Sequence, residues 1–183
     1  MTRIGFALIL VAAAVACGER AEGPAPMPMQ TETTAATDET VAVGKAMPAY
    51  SAELLDGSEF SIAKERGNVL LLNLWATWCG PCRYEIPELE KLHQQHAAQR
   101  FKVIGVSVDE GGDQIVREFV DQQNMTYPVA LDPEGRLAVL LDTTILPTSI
   151  LVDREGRVIW KHLGVVTADD PEMKSALQKA LSG

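Results

Sequence analysis

The chain changes its hydrophobic rhythm several times, and each change predicts an element. Residues 51–62 alternate on either side of Asp56-Gly57-Ser58, which predicts a hairpin of strands Ser51–Leu55 and Glu59–Ile62. Val69-Leu70-Leu71-Leu72-Asn73-Leu74-Trp75-Ala76 is almost continuously apolar and bounded upstream by Gly67, the pattern of a strand buried on both faces. Beyond it the spacing becomes helical. At about 100° per residue, Cys82, Glu85, Ile86, Leu89 and Leu92 share one face of a helix expected from Cys79 to Gln95, with Pro81 tolerated in its first turn and Pro87 expected to kink it.

Phe101–Val108 is rich in β-branched residues and predicts a second central strand. Asp113–Asn124 is amphipathic, with Ile115, Val116, Phe119 and Val120 on one side, and a short strand Tyr127–Leu131 and a short helix Gly135–Leu141 follow. Ser149–Val152 and Val158–Leu163 alternate around Asp153-Arg154-Glu155-Gly156, an antiparallel hairpin. A last helix, Asp170–Leu181, is capped by Asp169 or Asp170 ahead of Pro171. Strands alternating with helices and ending in a hairpin and a helix predict an α/β protein with a mixed central sheet covered on both sides.

The N-terminal quarter has no such rhythm. Arg3 precedes an apolar stretch, Ile4–Ala16, too short to span a bilayer comfortably but typical of a secretory signal, so residues 1–16 are expected to be a signal peptide. Ala14-Val15-Ala16 is a small-residue cleavage pattern with Cys17 directly after it. From Gly18 to about Ala46 the chain is Pro, Thr, Ala, Glu and Met without periodicity. Residues 17–46 are therefore expected to be a disordered tether, whose 29 residues after Cys17 reach on the order of 30 Å. Met27 and Met29 are read as linker rather than as soft copper ligands. Residues 47–183 are enough for one domain with an adequate core.

Charge narrows the partners. The formal net charge is −9, and removing residues 1–16 takes away Arg3 and no acid, leaving −10. An acidic balance argues against nucleic acid or an anionic membrane surface as a binding partner.

Candidate chemistry centres on Trp78-Cys79-Gly80-Pro81-Cys82. Cys79 falls at a helix N-terminus, where unpaired N–H groups and the dipole stabilise a thiolate, lowering a cysteine pKa from near 8.5 to roughly 3.5–7.5. Cys82 lies one turn further in, placed to attack a mixed disulfide formed at Cys79. A zinc site or a merely structural disulfide is the other reading. Zinc wants four ligands, and the only other cysteine, Cys17, is in the leader, leaving His93, His96 and His162. A structural bridge across so short a loop restrains the unfolded chain little. Glu85 sits within the apolar stripe of the helix; a carboxyl desolvated near Cys82 has a raised pKa and can exchange protons with it, the other reading being a side chain bent out to solvent.

Leu72-Asn73-Leu74-Trp75-Ala76-Thr77-Trp78-Cys79-Gly80-Pro81-Cys82-Arg83 resembles the active-site segment of thioredoxin-fold proteins of the TlpA/ResA type, extracytoplasmic thiol–disulfide oxidoreductases. The likeness runs from about Val43 to the C-terminus. It includes Pro48-Ala49-Tyr50, the Asp56-Gly57 turn, Gly105-Val106-Ser107-Val108-Asp109 and Leu146-Pro147-Thr148. The resemblance implies a thioredoxin fold with an N-terminal β-hairpin and an extra helix–strand insert between about Asp113 and Leu131. It also implies that Cys79 attacks and Cys82 resolves, that Trp78 is the tryptophan beside the nucleophile, and that Pro147 is a cis-proline facing the dithiol. A glutamate stands at the offset of Glu85 in this type, whereas Asn73 replaces the proton-relaying aspartate of thioredoxin. No cofactor or metal is implied.

The implied partners are exported proteins with cysteine pairs, such as apocytochrome c or copper-site proteins of respiratory oxidases, and a membrane reductant of the DsbD or CcdA kind. Cys17 resembles the acylated cysteine of a bacterial lipoprotein, although Ala14 stands where that pattern prefers leucine; ordinary signal cleavage is the alternative. The expected location is periplasmic or the outer face of a bacterial membrane, with a lipid anchor at Cys17. Two other functions compete with this reading. A peroxiredoxin-like thiol peroxidase would carry Pro and Thr where Leu72 and Ala76 stand, and a copper-handling relative would want wider cysteine spacing and a histidine after the second central strand.

Overall fold

The computed structural model describes residues 40–183; the signal-peptide region, Cys17, Met27 and Met29 lie outside the described residues. Its centre is β3, Val69–Trp75, buried at every position as the unbroken apolar run requires. Strand β3 pairs in parallel with β4, Phe101–Ser107, and antiparallel with β6, Thr148–Val152. Around them the sheet has seven strands, completed by β1 (Ser51–Leu54), β2 (Glu59–Ser61), β5 (Val129–Leu131) and β7 (Val158–Leu163), in the order β2-β1-β5-β4-β3-β6-β7. The β4–β5 pair is parallel like β3–β4, and the β1–β2, β1–β5 and β6–β7 pairs are antiparallel, so the sheet is mixed, a thioredoxin-like fold.

Successive side chains of a strand point to opposite faces, and β3 splits accordingly. Val69, Leu71 and Trp75 enter one core with α1 (Gly80–His96), α2 (Asp113–Gln123) and α4 (Pro171–Ser182). Leu70, Leu72 and Leu74 enter the other, with Tyr50, Phe60 and Ile62 and with Leu137 of α3, Arg136–Leu140. Asn73 belongs to the odd-numbered set and thus faces α1. That parity places the one polar side chain of β3 under the dithiol helix.

Several boundaries differ from the sequence reading. The expected tether to residue 46 ends too late: Val41 is buried, its N–H donates to Leu140 C=O at 2.8 Å, and Ala46 bridges to Arg157. Val41 and Ala46 lie in a stretch too short to show a period, so only their backbone partners reveal them. Strand β5 starts at Val129 rather than Tyr127, after Pro128, which has no N–H to give a ladder and contributes only its C=O, to Gly105 N–H. Ile62 opens a turn of 3-10 helix instead of extending β2. Helix α1 runs through Pro87 without ending. Asp170 is the cap of α4, accepting from Met173 N–H at 2.8 Å.

The expected insert is present as α2 and β5. Val116 and Phe119 of α2 are buried, whereas Ile115 is exposed.

Candidate active site

The chain leaves β3 through a tight turn in which Cys79 N–H donates to Ala76 C=O at 3.1 Å. Cys79 is then the cap residue of α1: its backbone is extended, and its Sγ accepts from Cys82 N–H at 3.2 Å. The two cysteines are joined as a disulfide, with Cα atoms 5.4 Å apart. Cys82 is more deeply covered than Cys79, at 1% against 5% exposure. A thiolate formed at Cys79 on reduction would meet the unpaired N–H groups of the first turn.

Trp78 projects into solvent, 69% exposed, and Tyr84 beside the helix start is 79% exposed. Trp75 is wholly buried and packs on Phe119 at 5.1 Å between ring centroids. The two tryptophans thus divide between surface and core. The Leu146–Pro147 bond is cis, and Pro147 C=O accepts from Gly164 N–H at 2.8 Å.

Glu85 is fully buried, which removes the alternative of a side chain bent out to solvent. Its Oε2 accepts from Asn73 Nδ2 at 3.2 Å, and its Oε1 accepts from Val166 N–H at 3.2 Å and Ser149 Oγ at 3.4 Å. Asn73 Nδ2 also donates to Ser149 Oγ at 3.0 Å. Asn73 and Ser149 are direct cross-strand partners on β3 and β6, so the sheet register builds this polar island. No cation joins it among the described ion pairs. Burial therefore dominates and pushes the Glu85 carboxyl up to about 7, against the opposing pull of the Val166, Asn73 and Ser149 hydrogen bonds.

Glu85 and Cys82 are both buried on the inward face of α1, one turn apart. A carboxyl that titrates near neutrality there can take or return a proton. Tyr127, buried in the same core, has its phenol pushed up by burial, then by the negative charges of Glu85 and Glu90.

The histidines do not converge. His93 packs edge-on to Tyr127 with centroids 6.1 Å apart, His96 Nδ1 lies 2.6 Å from Gln99 Oε1, and His162 stacks on Trp160. Sequence reasoning missed Ser149, Val166 and Asp109. Ser149 carried the same signal as Asn73, a polar residue inside an apolar strand. Val166 acts through its backbone, which leaves no mark in a sequence. Asp109 accepts from Thr77 N–H at 3.0 Å and Thr77 Oγ1 at 2.6 Å, a pairing across 32 positions that no local pattern reports.

Comparison with known proteins agrees with this geometry. The family model described as Redoxin matches residues 42–178. The thiol-disulfide oxidoreductase ResA of Bacillus thuringiensis is 32% identical over 135 residues, covering 74% of this chain and 78% of that protein. The thioredoxin-like protein YneN of Bacillus subtilis is 33% identical over 135 residues, 72% and 77% of the two chains. Among solved structures, that of a secreted thiol-disulfide isomerase from Corynebacterium glutamicum superposes with a TM-score of 0.64 at 28% identity, over 74% of this chain and 83% of that one.

Proposed function

The chain belongs to the Redoxin family and is a thiol–disulfide oxidoreductase, and we propose that it works outside the cytoplasm, reducing disulfides of particular exported proteins. The observation that carries this reading is the disulfide-bonded Cys79–Cys82 pair at the start of α1, with Trp78 exposed next to Cys79 in the chain and a buried, near-neutral carboxyl one turn beyond Cys82. Gly80-Pro81 between the cysteines is the version of the motif found in reducing thioredoxin, whose potential is about −270 mV against −120 mV for oxidising DsbA.

In the proposed cycle the Cys79 thiolate attacks one sulfur of a substrate disulfide and releases the other as a thiolate, which takes up a proton. Cys82 then passes its proton to Glu85 and attacks Cys79 Sγ. The bond between Cys79 and the substrate breaks, the second substrate sulfur leaves as a thiolate and takes up a proton, and two electrons have moved from the dithiol to the substrate. Trp78 and Tyr84 offer the incoming polypeptide an apolar surface. Leu146, ahead of Pro147, has backbone N–H and C=O without partners among the described residues, which supports its pairing with an extended substrate strand.

A membrane reductant of the DsbD or CcdA kind would return the electrons. Apocytochrome c and copper-site proteins of oxidases are the substrates to test first, and Cys17 would hold the protein at the membrane surface as a lipoprotein. The apolar leader and the cysteine directly after it support export, as does similarity to a protein described as secreted.

The deciding experiment is trapping. Cys82→Ser leaves Cys79 able to attack but removes the resolving thiol, so cells making it should accumulate mixed disulfides on non-reducing gels. Cys79→Ser should trap none. The proposal fails if the Cys82→Ser adducts are missing or persist without Cys79.

A further inference from the structure

The turn that presents Cys79 is gripped from two sides. Asp109, just past β4, is buried, and its carboxylate accepts Thr77 N–H at 3.0 and 3.2 Å, Thr77 Oγ1 at 2.6 Å and Ser107 Oγ at 2.7 Å. From the opposite side Arg83, in the first turn of α1, donates Nη2 to Thr77 C=O at 3.0 Å while its guanidinium lies 5.0 Å from the centre of the Phe119 ring. Thr77 is therefore held at its N–H, its hydroxyl and its carbonyl. It is also a central residue of the turn closed by Cys79 N–H on Ala76 C=O.

Burying a carboxylate is costly unless it is well hydrogen-bonded. No cation pairs with Asp109 among the described ion pairs, so neutral donors alone offset that cost, and most of them belong to Thr77. Such a bond set restrains where β3 ends and therefore where α1 begins. Trp78, between the gripped residue and the cysteine, has no comparable anchor and stands in solvent.

The geometry points to Asp109 as a positioning residue of the dithiol: clamped onto Thr77, it holds Cys79 within reach of Cys82 and so sets how strongly the pair prefers the disulfide. Asp109 need not touch the reacting sulfurs to do this. Closing a disulfide depends on the effective concentration of one thiol at the other, which a restrained turn raises and a loosened turn lowers. The inference deepens the proposed redox function and rests on Cys79 and Cys82 being the redox pair.

The test is the equilibrium with glutathione, in which the protein disulfide and two glutathione thiols give the protein dithiol and one glutathione disulfide. Asp109→Ala should shift this equilibrium about tenfold toward the dithiol, a two-electron potential about 30 mV less negative. Thr77→Val keeps the N–H and removes the hydroxyl, and should shift it about threefold in the same direction. The double variant should shift no further than Asp109→Ala alone, because both substitutions break the same clamp. A merely structural role would weaken oxidised and reduced forms alike and leave the equilibrium constant unmoved. If Asp109→Ala does not fold, Thr77→Val and Asp109→Asn carry the test, each expected to shift the equilibrium about threefold. Folded variants that stay within twofold of wild type overturn the inference. The redox reading itself fails separately, if Cys79→Ser still reduces a protein disulfide.

Discussion

Asn73 Nδ2 donates to Glu85 Oε2 across 3.2 Å, joining the central strand to the dithiol helix inside the core. The amide supplies a donor and no charge. It offers the carboxylate partial compensation while burial still favours the protonated form, and the balance leaves Glu85 near 7 instead of at an ordinary carboxyl value. An aspartate at this position would bring a second carboxyl into a site with no cation to share among the described ion pairs.

Asn73→Asp should therefore be tolerated in acid and costly in base. At pH 4 both carboxyls are largely protonated and the variant should lie within about 1 kcal/mol of wild type. At pH 8 the pair cannot both ionise cheaply, and the variant should be less stable by about 3 kcal/mol. Urea unfolding of the oxidised protein at the two pH values measures this, and equal losses at both would show that the two residues are not electrostatically coupled.

Gly105 is opposite Asn73 in the parallel ladder, and a Cβ there would meet Trp75 Nε1 at 2.9 Å and Tyr127 Cε2 at 3.1 Å. Both rings are buried and packed, so neither can swing away freely. Gly105→Ala should destabilise the fold by about 1–3 kcal/mol, the usual cost of overpacking. Loss of less than about 0.5 kcal/mol in urea unfolding would mean that the Trp75 and Tyr127 rings yield.

The parts of this site that the sequence disclosed share one property: their signal is local. The apolar run of β3, the helical spacing from Cys82 to Leu92 and the position of Cys79 at the junction are each contained in a few turns of chain. Glu85 was legible because a charged residue inside an apolar stripe is anomalous by itself. Ser149 was equally anomalous, but its meaning depended on the antiparallel register that sets it against Asn73, and register is a property of two strands. Val166 and the Asp109 clamp on Thr77 are contacts between segments 81 and 32 positions apart, one of them through backbone alone. The early start of the fold at Val41 escaped for the same reason, since its support is Leu140 C=O.

If Cys17 is acylated, Cys17→Ala should release the protein from membranes without altering its redox activity, since the residue is no part of the dithiol. A single acyl chain gives only marginal binding, and the diacyl-type anchoring of a lipoprotein needs that cysteine. Fractionation of cells making each form, with the mass of the native N-terminus, reads the outcome. Equal membrane association of both forms, or a native N-terminus without acyl mass, would sink the anchor proposal.

Glu85→Gln separates stability from catalysis at the same side chain. The carboxyl titrates at 4.5 when exposed and at about 7 when folded. A raised acid pKa means that folding favours the protonated form: that contribution is fully present below about pH 4.5, declines as pH rises through the interval to 7, and is lost above it. Glutamine is neutral at every pH and escapes the decline. The stability of Glu85→Gln relative to wild type should therefore improve by about 3 kcal/mol between pH 4 and pH 8, at 1.36 kcal/mol per pKa unit. Its chemistry should move the other way. If Glu85 accepts the Cys82 proton, the variant should resolve mixed disulfides more slowly, most of all near and just above pH 7, where the carboxyl is ionised while a thiol of ordinary pKa, about 8.5, still holds its proton, and its thiol titration should lose the coupling to a group near 7. A variant that gains the stability but keeps the wild-type pH–rate profile would leave Glu85 a buried carboxyl with an electrostatic cost and no part in proton transfer.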